Sequence, residues 1–519
     1  MTDDRHVPGD DTVQMRLAPL AAASARRRRP APAPVPRPVI PPDLLPQTAP
    51  RAVLSRALTV PLVVVLVGLI PAVIGGMAPE TARNTAFWLQ LAVTVYAGAR
   101  LCAMILTARR RLIAGSIWLF CYVAMGVAVL AQLSLGQTPT PLVGTSGDLT
   151  LAVALVLLGF VAFDVGALLA RHRPAPRQYR LRRTATVSKR RLFVLVLVAY
   201  LCSAVFVASL GGPAVFFSSR QAISDHLTAG GTSSSQVGSA FLRGFGTVPA
   251  LLALLMLTRW MLFSRRARRR PQVVLPWFGL LIVNAVVNNP VSNPRYWFLT
   301  VLFALLFTVF PRSPAVYRAA LTLGVAAAVL IFPFADKFRY DEGGRAASEQ
   351  TSTLEPLVTK DYDQTVMLAN TISWVDSGHG HTYGEQLAAS TFFFVPRSIW
   401  QDKPLDSGVR VGQWMGTSNT NLSSPLWAEL WLDFGPFGMT AGFLGIGYCV
   451  ARVDRRFARS GHVSRDPGNL LAVVVPCIAG YAFILLRGPL LQTTGRIGIA
   501  VLCVALVMTF RGGEQHRLD

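Results

Sequence analysis

The chain has 519 residues, of which 52% are hydrophobic and only 15% are charged, and its mean hydropathy is +0.44. Because a soluble globular protein carries about 25% charged residues, this composition excludes an ordinary soluble enzyme. The formal net charge of +24 is compatible either with nucleic-acid binding or with the cytoplasmic loops of a membrane protein. The position of the cations along the chain decides between the two.

The first 56 residues differ in composition from the rest of the chain. Nine prolines lie between positions 30 and 50, directly after the run Arg26 to Arg29. Such a segment buries too little apolar surface to offset the entropy lost on ordering. We therefore predict that residues 1–56 form a disordered, basic, Pro-rich cytoplasmic tail, without the apolar core of a secretory signal peptide.

Long apolar runs dominate the remainder of the chain, and a helix needs about 20 mostly apolar residues to cross a bilayer. Twelve runs approach that length, at 57–77, 84–106, 112–135, 149–170, 192–210, 241–263, 272–289, 295–311, 319–335, 426–451, 470–487 and 494–510. The sequence thus predicts an all-α integral membrane protein with about twelve transmembrane helices. Helices one to nine occupy 57–335, a large loop 336–425, helices ten to twelve 426–510, and a short cytoplasmic tail 511–519.

The cations are distributed asymmetrically over the loops of this topology. With the N-terminus in the cytoplasm, 36 of the 50 Lys and Arg residues fall in cytoplasmic segments, which sum to +26, whereas the outside sums to −2. Positive charge concentrates on the cytoplasmic side of membrane proteins, so both termini are predicted to be cytoplasmic. The short, scattered basic runs also lack the interleaved aromatic residues of a nucleic-acid groove, which excludes nucleic acid as a partner.

Short motifs for metals or cofactors carry little weight in this sequence. The six cysteines lie in apolar runs and form no CxxC pair, which excludes a cysteine zinc site. The Asp361–Tyr362–Asp363 triplet has a D-x-D spacing that often arises by chance, and the pair His379 and His381 lacks a third ligand. We predict no metal and no cofactor.

The external loop 336–425 is too long for a simple connection and too rich in aromatic residues for disorder. Apolar residues recur at helical spacing in 354–375 and in 384–395. We therefore expect short helices that lie over the outer face of the bundle, partly in the membrane interface. A structured cap of this kind favours a membrane enzyme or a receptor over a simple channel.

The densest group of polar residues in the loop is VPRSIWQDKPLDSGVRVGQWMG, at 395–416. Cations held on a loop stiffened by proline suit a phosphate or pyrophosphate group, and aromatic faces beside them suit sugar rings. The alternative is a solvated loop whose cations pair with its own aspartates. The candidate substrate-binding residues are Arg397, Trp400, Lys403, Arg410 and Trp414.

Helix ten begins with two carboxylates, Glu429 and Asp433, which lie four residues apart and hence on one helix face. Carboxylates that enter a bilayer are costly and usually mark function. Either could be the catalytic base that removes a proton from an acceptor hydroxyl. The alternative is a carboxylate favoured at a helix start by the macrodipole.

Two more external arginines complete the candidate site. Arg295 follows a tight turn in NNPVSNPRYWFL (288–299), and Arg339 leaves helix nine in FADKFRYDEGGR (334–345). The alternative for Arg295 is a snorkelling anchor in an aromatic belt. The remaining external cations, at helix ends, need no function; they include Arg220, Arg487 and Arg496.

The order of these motifs resembles that of the Wzy-type polymerases, which join O-antigen or oligosaccharide repeat units in bacterial envelopes. The resemblance rests on NPR before helix eight, FR after helix nine, the run PRSIWQDKP, and S-x-x-P followed by ELWLDFGPFG. It covers residues 288–440. Many type-C transferases carry a carboxylate pair in the first external loop, whereas here that loop, 78–83, has only Glu80, which fits the polymerase and ligase branch better.

The resemblance implies a metal-independent glycosyltransferase with a type-C-like membrane fold in the bacterial cytoplasmic membrane, with its active site on the external face. Its substrates would be oligosaccharides on undecaprenyl pyrophosphate, its surroundings membrane lipids, and its partners a chain-length regulator and a flippase. The resemblance itself fixes no base, and Glu429 is the candidate that the residues of this chain offer. The leaving pyrophosphate would meet Arg295, Arg339, Arg397 and Arg410, supported by Lys403.

Two other functions remain open at this point. An O-antigen-ligase-like transferase would use the same donor with a different acceptor. A transporter or flippase of lipid-linked sugars would place polar sites on broken helices, often in two related halves. The sequence contains no internal repeat, which favours an enzyme.

Overall fold

The structure, a computed structural model, describes residues 57–107, 111–172, 184–217, 236–311, 313–328, 354, 357–417, 422–460 and 466–511. Several predictions fall wholly or partly outside the described residues. These are the disordered tail 1–56, the end of predicted helix nine and the start of the loop after it, the candidate site residue Arg339, and positions 512–519 of the C-terminal tail.

Helices account for most of the described chain. They are α1 (Ala57–Gly76), α2 (Thr85–Leu106), α3 (Leu112–Leu135), α4 (Ser146–His172), α5 (Lys189–Ser209), α6 (Gln236–Phe263), α7 (Pro271–Val287), α8 (Arg295–Val309), α9 (Pro314–Ala326), α10 (Gln364–Trp374), α11 (Glu385–Thr391), α12 (Ser407–Trp414), α13 (Leu426–Ser460), α14 (Leu471–Arg487) and α15 (Leu490–Val507). Each predicted transmembrane run overlaps one of them. Among the described residues, eight helices are long and apolar enough to cross a membrane, and α7, α8 and α14 are shorter apolar helices.

The outer surface of the bundle is apolar, as a lipid environment requires. On α7, Leu275, Phe278 and Ile282 are 69%, 57% and 54% exposed, and they share one helix face because they recur at three- and four-residue spacing. A soluble protein rarely exposes a contiguous apolar stripe of this kind. Together with the membrane-length helices, this surface identifies an all-α membrane protein.

Two apolar cores hold the bundle together. The first is built mainly from α2, α3, α4, α10 and α13, and the second from α5, α6, α7 and α15, with α8 and α14 contributing to both. The closest crossing joins α4 to α13, where a Cβ on Gly447 would lie 2.0 Å from the carbonyl oxygen of Phe163. Small residues at such crossings let two helix backbones touch, which replaces the hydrophobic driving force that lipid does not supply.

Three local features differ from the predicted pattern. Helix α15 ends at Val507, not near 510, because Met508–Arg511 forms a strand antiparallel to Thr184–Val187. Helix α13 is interrupted at Gly435, whose φ of 62° and ψ of −157° lie outside the helical region. The third difference is in the cap, where α10 is buried against α4 and α13 rather than lying over the bundle.

Candidate functional site

The predicted site residues that the structure describes gather at one end of the bundle. The segment that carries α10, α11 and α12 packs there against the first turns of α13 and α15. This arrangement places the loop cations, the two carboxylates of α13 and the first residues of α8 and α15 in one region.

Glu429 lies one turn inside α13 and is only 2% exposed. Its Oε1 accepts a hydrogen bond from the hydroxyl of Ser407, the first residue of α12, and another from the backbone N–H of Leu490 at 3.4 Å. Asp406 is close enough to repel this carboxylate electrostatically. Glu429 is therefore a buried carboxylate already hydrogen-bonded to a hydroxyl.

Asp433, one turn further along α13, is equally buried but performs a structural task. Its carboxylate accepts hydrogen bonds from the Thr382 hydroxyl at 2.6 Å and from the backbone N–H groups of Gln386 and Leu387 at 3.1 and 2.8 Å. These N–H groups lie in the first turn of α11, which has no intrahelical acceptors for them. Asp433 thus pairs with the N–H groups at the start of α11. It thereby fixes the external segment to α13.

Lys403 and Arg397 stabilise the loop that carries them. The Lys403 amine is buried and donates to the carbonyl oxygens of Phe392, Phe393 and Val395 at 2.9 to 3.1 Å, which follow the end of α11. Burial, together with the neighbouring Arg397 charge, lowers the pKa of Lys403. Arg397, although exposed, donates to the carbonyls of Lys403 and Pro404. Both cations are therefore engaged in holding the backbone of the loop.

Arg410 is placed differently from the other two loop cations. Its guanidinium lies 5.1 Å from the centre of the Trp374 ring, and its Nη1 lies 3.8 Å from the Glu385 carboxylate, too far for a hydrogen bond. That Nη1 is buried and has no hydrogen-bond partner among the described residues. The two tryptophans of the predicted group, Trp400 and Trp414, are half-buried.

Arg295 belongs to an ionic cluster that the sequence did not reveal. Its guanidinium lies 2.7 Å from the carboxylate of Asp361, which Arg487 also approaches at 3.5 Å. Asp363 completes the cluster and accepts a hydrogen bond from Ser423. Burial raises the pKa of Asp363, and the positive charge of Arg487 opposes that rise. One carboxylate thus holds two arginines at the ends of α8 and α14.

An apolar cavity of about 230 Å³ lies beside this cluster, between α3, α8 and α9. Tyr296 and Tyr362 line it, and the Tyr296 hydroxyl donates to the carbonyl of Asp361 at 3.0 Å. The lining is almost entirely hydrocarbon, so the cavity suits an apolar chain and not a charged group.

The sequence missed several residues of this region for identifiable reasons. Asp361 sits in the D-x-D triplet that looked like a chance match, and Arg487 looked like an ordinary helix-end cation. The contacts of Asp361 with Arg295 and Arg487 join positions 66 and 126 residues apart, which no local pattern encodes. The sequence did contain one signal for this cluster: Asp361 and Asp363 lie in the same loop, 336–425, as the candidate cations.

No family model, curated protein or solved structure matches this chain. Among the described residues, no group of three or more His, Cys, Asp or Glu side chains is placed to hold a metal ion.

Proposed function

We propose that this protein is a membrane glycosyltransferase that polymerises oligosaccharide repeat units carried on undecaprenyl pyrophosphate, as the Wzy-type resemblance implies. The observation that carries the proposal is Glu429, a buried carboxylate that accepts a hydrogen bond from the hydroxyl of Ser407 beneath a cap rich in arginine. A general base must accept a hydrogen bond from the hydroxyl whose proton it removes. Ser407 therefore marks the position that an acceptor sugar hydroxyl would take.

The proposed reaction balances without a further reagent. The acceptor hydroxyl oxygen bonds to the anomeric carbon of the growing chain, and its proton passes to Glu429. The bond between that carbon and the pyrophosphate oxygen breaks, and its electron pair leaves with the lipid pyrophosphate. Because Glu429 is only 2% exposed, the acceptor reaches it by displacing Ser407 and the adjoining turn before α12.

The arginines divide into two roles in this proposal. The Nη1 of Arg410 forms no hydrogen bond with the described residues, so Arg410 is the loop cation proposed to meet negative charge that develops on the leaving group. Arg295, Arg397 and Lys403 act as positioning residues, because the contacts described above tie them to the protein itself. The apolar cavity beside Tyr296 supports the proposal further, because a polyprenyl chain needs such a surface.

The proposal includes the location and the partners. The active site would face the outside of the bacterial cytoplasmic membrane, with both termini in the cytoplasm. Lipid-linked oligosaccharides and membrane lipids would meet the protein there, together with a chain-length regulator and a flippase. The excess of cations in the segments predicted to be cytoplasmic supports this orientation.

The test combines gene deletion with a matched pair of variants, Glu429→Gln and Glu80→Gln. Deletion should remove long surface glycan and cause single lipid-linked units to accumulate in the outer leaflet of the cytoplasmic membrane. Glu429→Gln should lower polymer formation by about 100-fold or more, since a general base contributes that much, while Glu80→Gln, at an exposed position, should restore the polymer. Normal polymer in Glu429→Gln would refute the assignment of the base.

One observation favours transport as a second candidate function. Helix α13 is interrupted at Gly435, six residues beyond Glu429, and broken helices form the binding sites of many transporters. A flippase would leave lipid-linked units trapped inside the cell after deletion. The same deletion experiment therefore separates the two functions by the side on which the units accumulate.

A further inference from the structure

Two arginines outside the predicted site, Arg243 of α6 and Arg496 of α15, lie beside each other at the same end of the bundle. The Cγ of Arg496 is 3.8 Å from the position that a Cβ would occupy on Gly244. The two guanidinium groups are close enough to repel each other. Like charges held together in a partly desolvated place are unfavourable unless an anion compensates them.

No acidic side chain in the part of the chain that the structure describes forms an ion pair with Arg243 or Arg496. The neighbouring arginines differ in this respect, since Arg295 and Arg487 share Asp361. Both Arg243 and Arg496 are half-buried, so their side chains remain accessible to a ligand. The pair is thus a local excess of positive charge that the described protein does not neutralise.

The surroundings hold Arg496 in a fixed orientation. Its guanidinium lies 4.4 Å from the centre of the Trp297 ring, and the Trp297 indole donates to the side chain of Asn288 at 2.8 Å. A guanidinium stacked on a ring keeps its N–H groups at its edge, where an anion can accept them. Phe393 lies 3.9 Å from the position of a Cβ on the neighbouring Gly495, and its ring centre is 5.5 Å from that of Phe241.

We propose that Arg243 and Arg496 bind a phosphoryl group, as phosphate or pyrophosphate, that is either free or the headgroup of a lipid. Two arginines present paired N–H donors that match the oxygens of such a group, and its negative charge removes their mutual repulsion. This inference deepens and rests on the proposed function, because it assigns two arginines in addition to Arg410 to the pyrophosphate of the lipid-linked substrate. It is tested by a binding measurement, so its failure can be distinguished from a failure of the proposed glycan synthesis.

The experiment uses the purified full-length protein in a maltoside detergent, which contains no phosphate. The probes are inorganic pyrophosphate and farnesyl pyrophosphate, and the readouts are the dissociation constant and the apparent melting temperature. The variants are Arg243→Gln, Arg496→Gln and their combination. The control is Arg266→Gln, an exposed arginine beyond the far end of α6.

Each arginine variant should weaken binding by about tenfold or more, because it removes charge-assisted hydrogen bonds. Without ligand, each should raise the melting temperature, since one of two repelling charges is gone; a purely structural arginine would lower it. Arg266→Gln should bind as the wild type does. If inorganic pyrophosphate binds, the headgroup is sufficient for binding. If only farnesyl pyrophosphate binds, the ligand is a lipid. Failure of both probes, or unchanged binding in the double variant, would overturn the proposal.

Discussion

At the scale of single residues, the site is defined by how each charge is compensated. Asp361 compensates two arginines, Asp433 accepts three hydrogen bonds from the cap, and the amine of Lys403 donates to three carbonyls. Removing one partner of such a buried arrangement costs more than forming it contributes, because the other partner is left unpaired. These residues therefore give the end of the bundle its shape, whereas the two proposals above assign chemistry to Glu429, Arg410 and the Arg243–Arg496 pair.

Asp406 gives a prediction about pH. It caps α12 by accepting from the backbone N–H of Gly408 at 3.0 Å, yet burial raises the pKa of Asp406 to about 6. An unfolded aspartate titrates near pH 3.9, so between about pH 4 and pH 6 the folded state binds more protons than the unfolded state. The contribution of Asp406 to the free energy of unfolding should thus fall as the pH rises from about 4 to about 6, by about 3 kcal/mol at most.

Asp406→Asn isolates this effect, because asparagine also accepts at an N-cap but does not titrate. The variant should be more stable than the wild type at pH 7.5, and the difference should vanish near pH 4. Thermal unfolding of both proteins in detergent across that range gives the comparison. Asp402→Asn provides the control, because it removes the same charge at an exposed position. A constant difference between Asp406→Asn and the wild type at all pH values would show that the aspartate ionises normally.

The sequence singled out the segment that carries the loop cations but not the contacts that their side chains make, and their roles stay predictions. The motif that contains Arg397, Lys403 and Arg410 does lie at the same end of the bundle as Glu429. The sequence could not show that the Lys403 amine turns inward to three carbonyls, because that depends on how the chain folds back after α11. Nor could it show that Arg243 and Arg496, 253 positions apart, are neighbours.

At the scale of elements, the break in α13 gives a sharp prediction. Gly435 has a φ of 62° and a ψ of −157°, a conformation that residues with a Cβ avoid and glycine adopts readily. Gly435→Ala should therefore lower the free energy of unfolding by about 1–3 kcal/mol. The matched control is Gly445→Ala in the same helix, where a Cβ meets no atom within 4 Å and alanine favours the helix.

Thermal unfolding in detergent compares the two glycine variants. If Gly435→Ala were as stable as Gly445→Ala, α13 would be continuous and the break would have no bearing on transport or catalysis. The sequence predicted one uninterrupted helix over 426–451 because its apolar pattern does not register the break. Apolar periodicity continues through Gly435 and Pro436, and only the backbone angles reveal the change of direction.

At the scale of the whole molecule, hydropathy predicts where the helices lie better than short motifs predict what the site residues contact. Lipid imposes a minimum length and an apolar surface on each helix, so the approximate positions of the helices follow from composition alone. The helix ends do not, because tertiary contacts decide them. The strand Met508–Arg511, for example, ends α15 early by pairing with Thr184–Val187, more than 300 positions away. The count of twelve membrane crossings and their orientation stay predictions.

Two exposed positions at opposite ends of the bundle test the orientation. Ser398 lies in the cap, near the start of α6, since Phe393 contacts Phe241. Arg266 follows the other end of α6, which at 1.5 Å per residue is about 42 Å long. A helix of that length separates the two positions by more than a hydrocarbon core of about 30 Å. With the positive-inside orientation, Ser398 faces the outside and Arg266 faces the cytoplasm.

The corresponding variants are Ser398→Cys and Arg266→Cys, treated with a membrane-impermeant maleimide. Ser398→Cys should react in intact cells, whereas Arg266→Cys should react only after the membrane is permeabilised. The wild type serves as the blank, because its six cysteines lie within apolar helices. The reverse pattern would place the cap, Glu429 and the Arg243–Arg496 pair in the cytoplasm. A polymerase acting on lipid-linked units at the outer leaflet would then be impossible, whereas phosphoryl binding by the two arginines would not be affected.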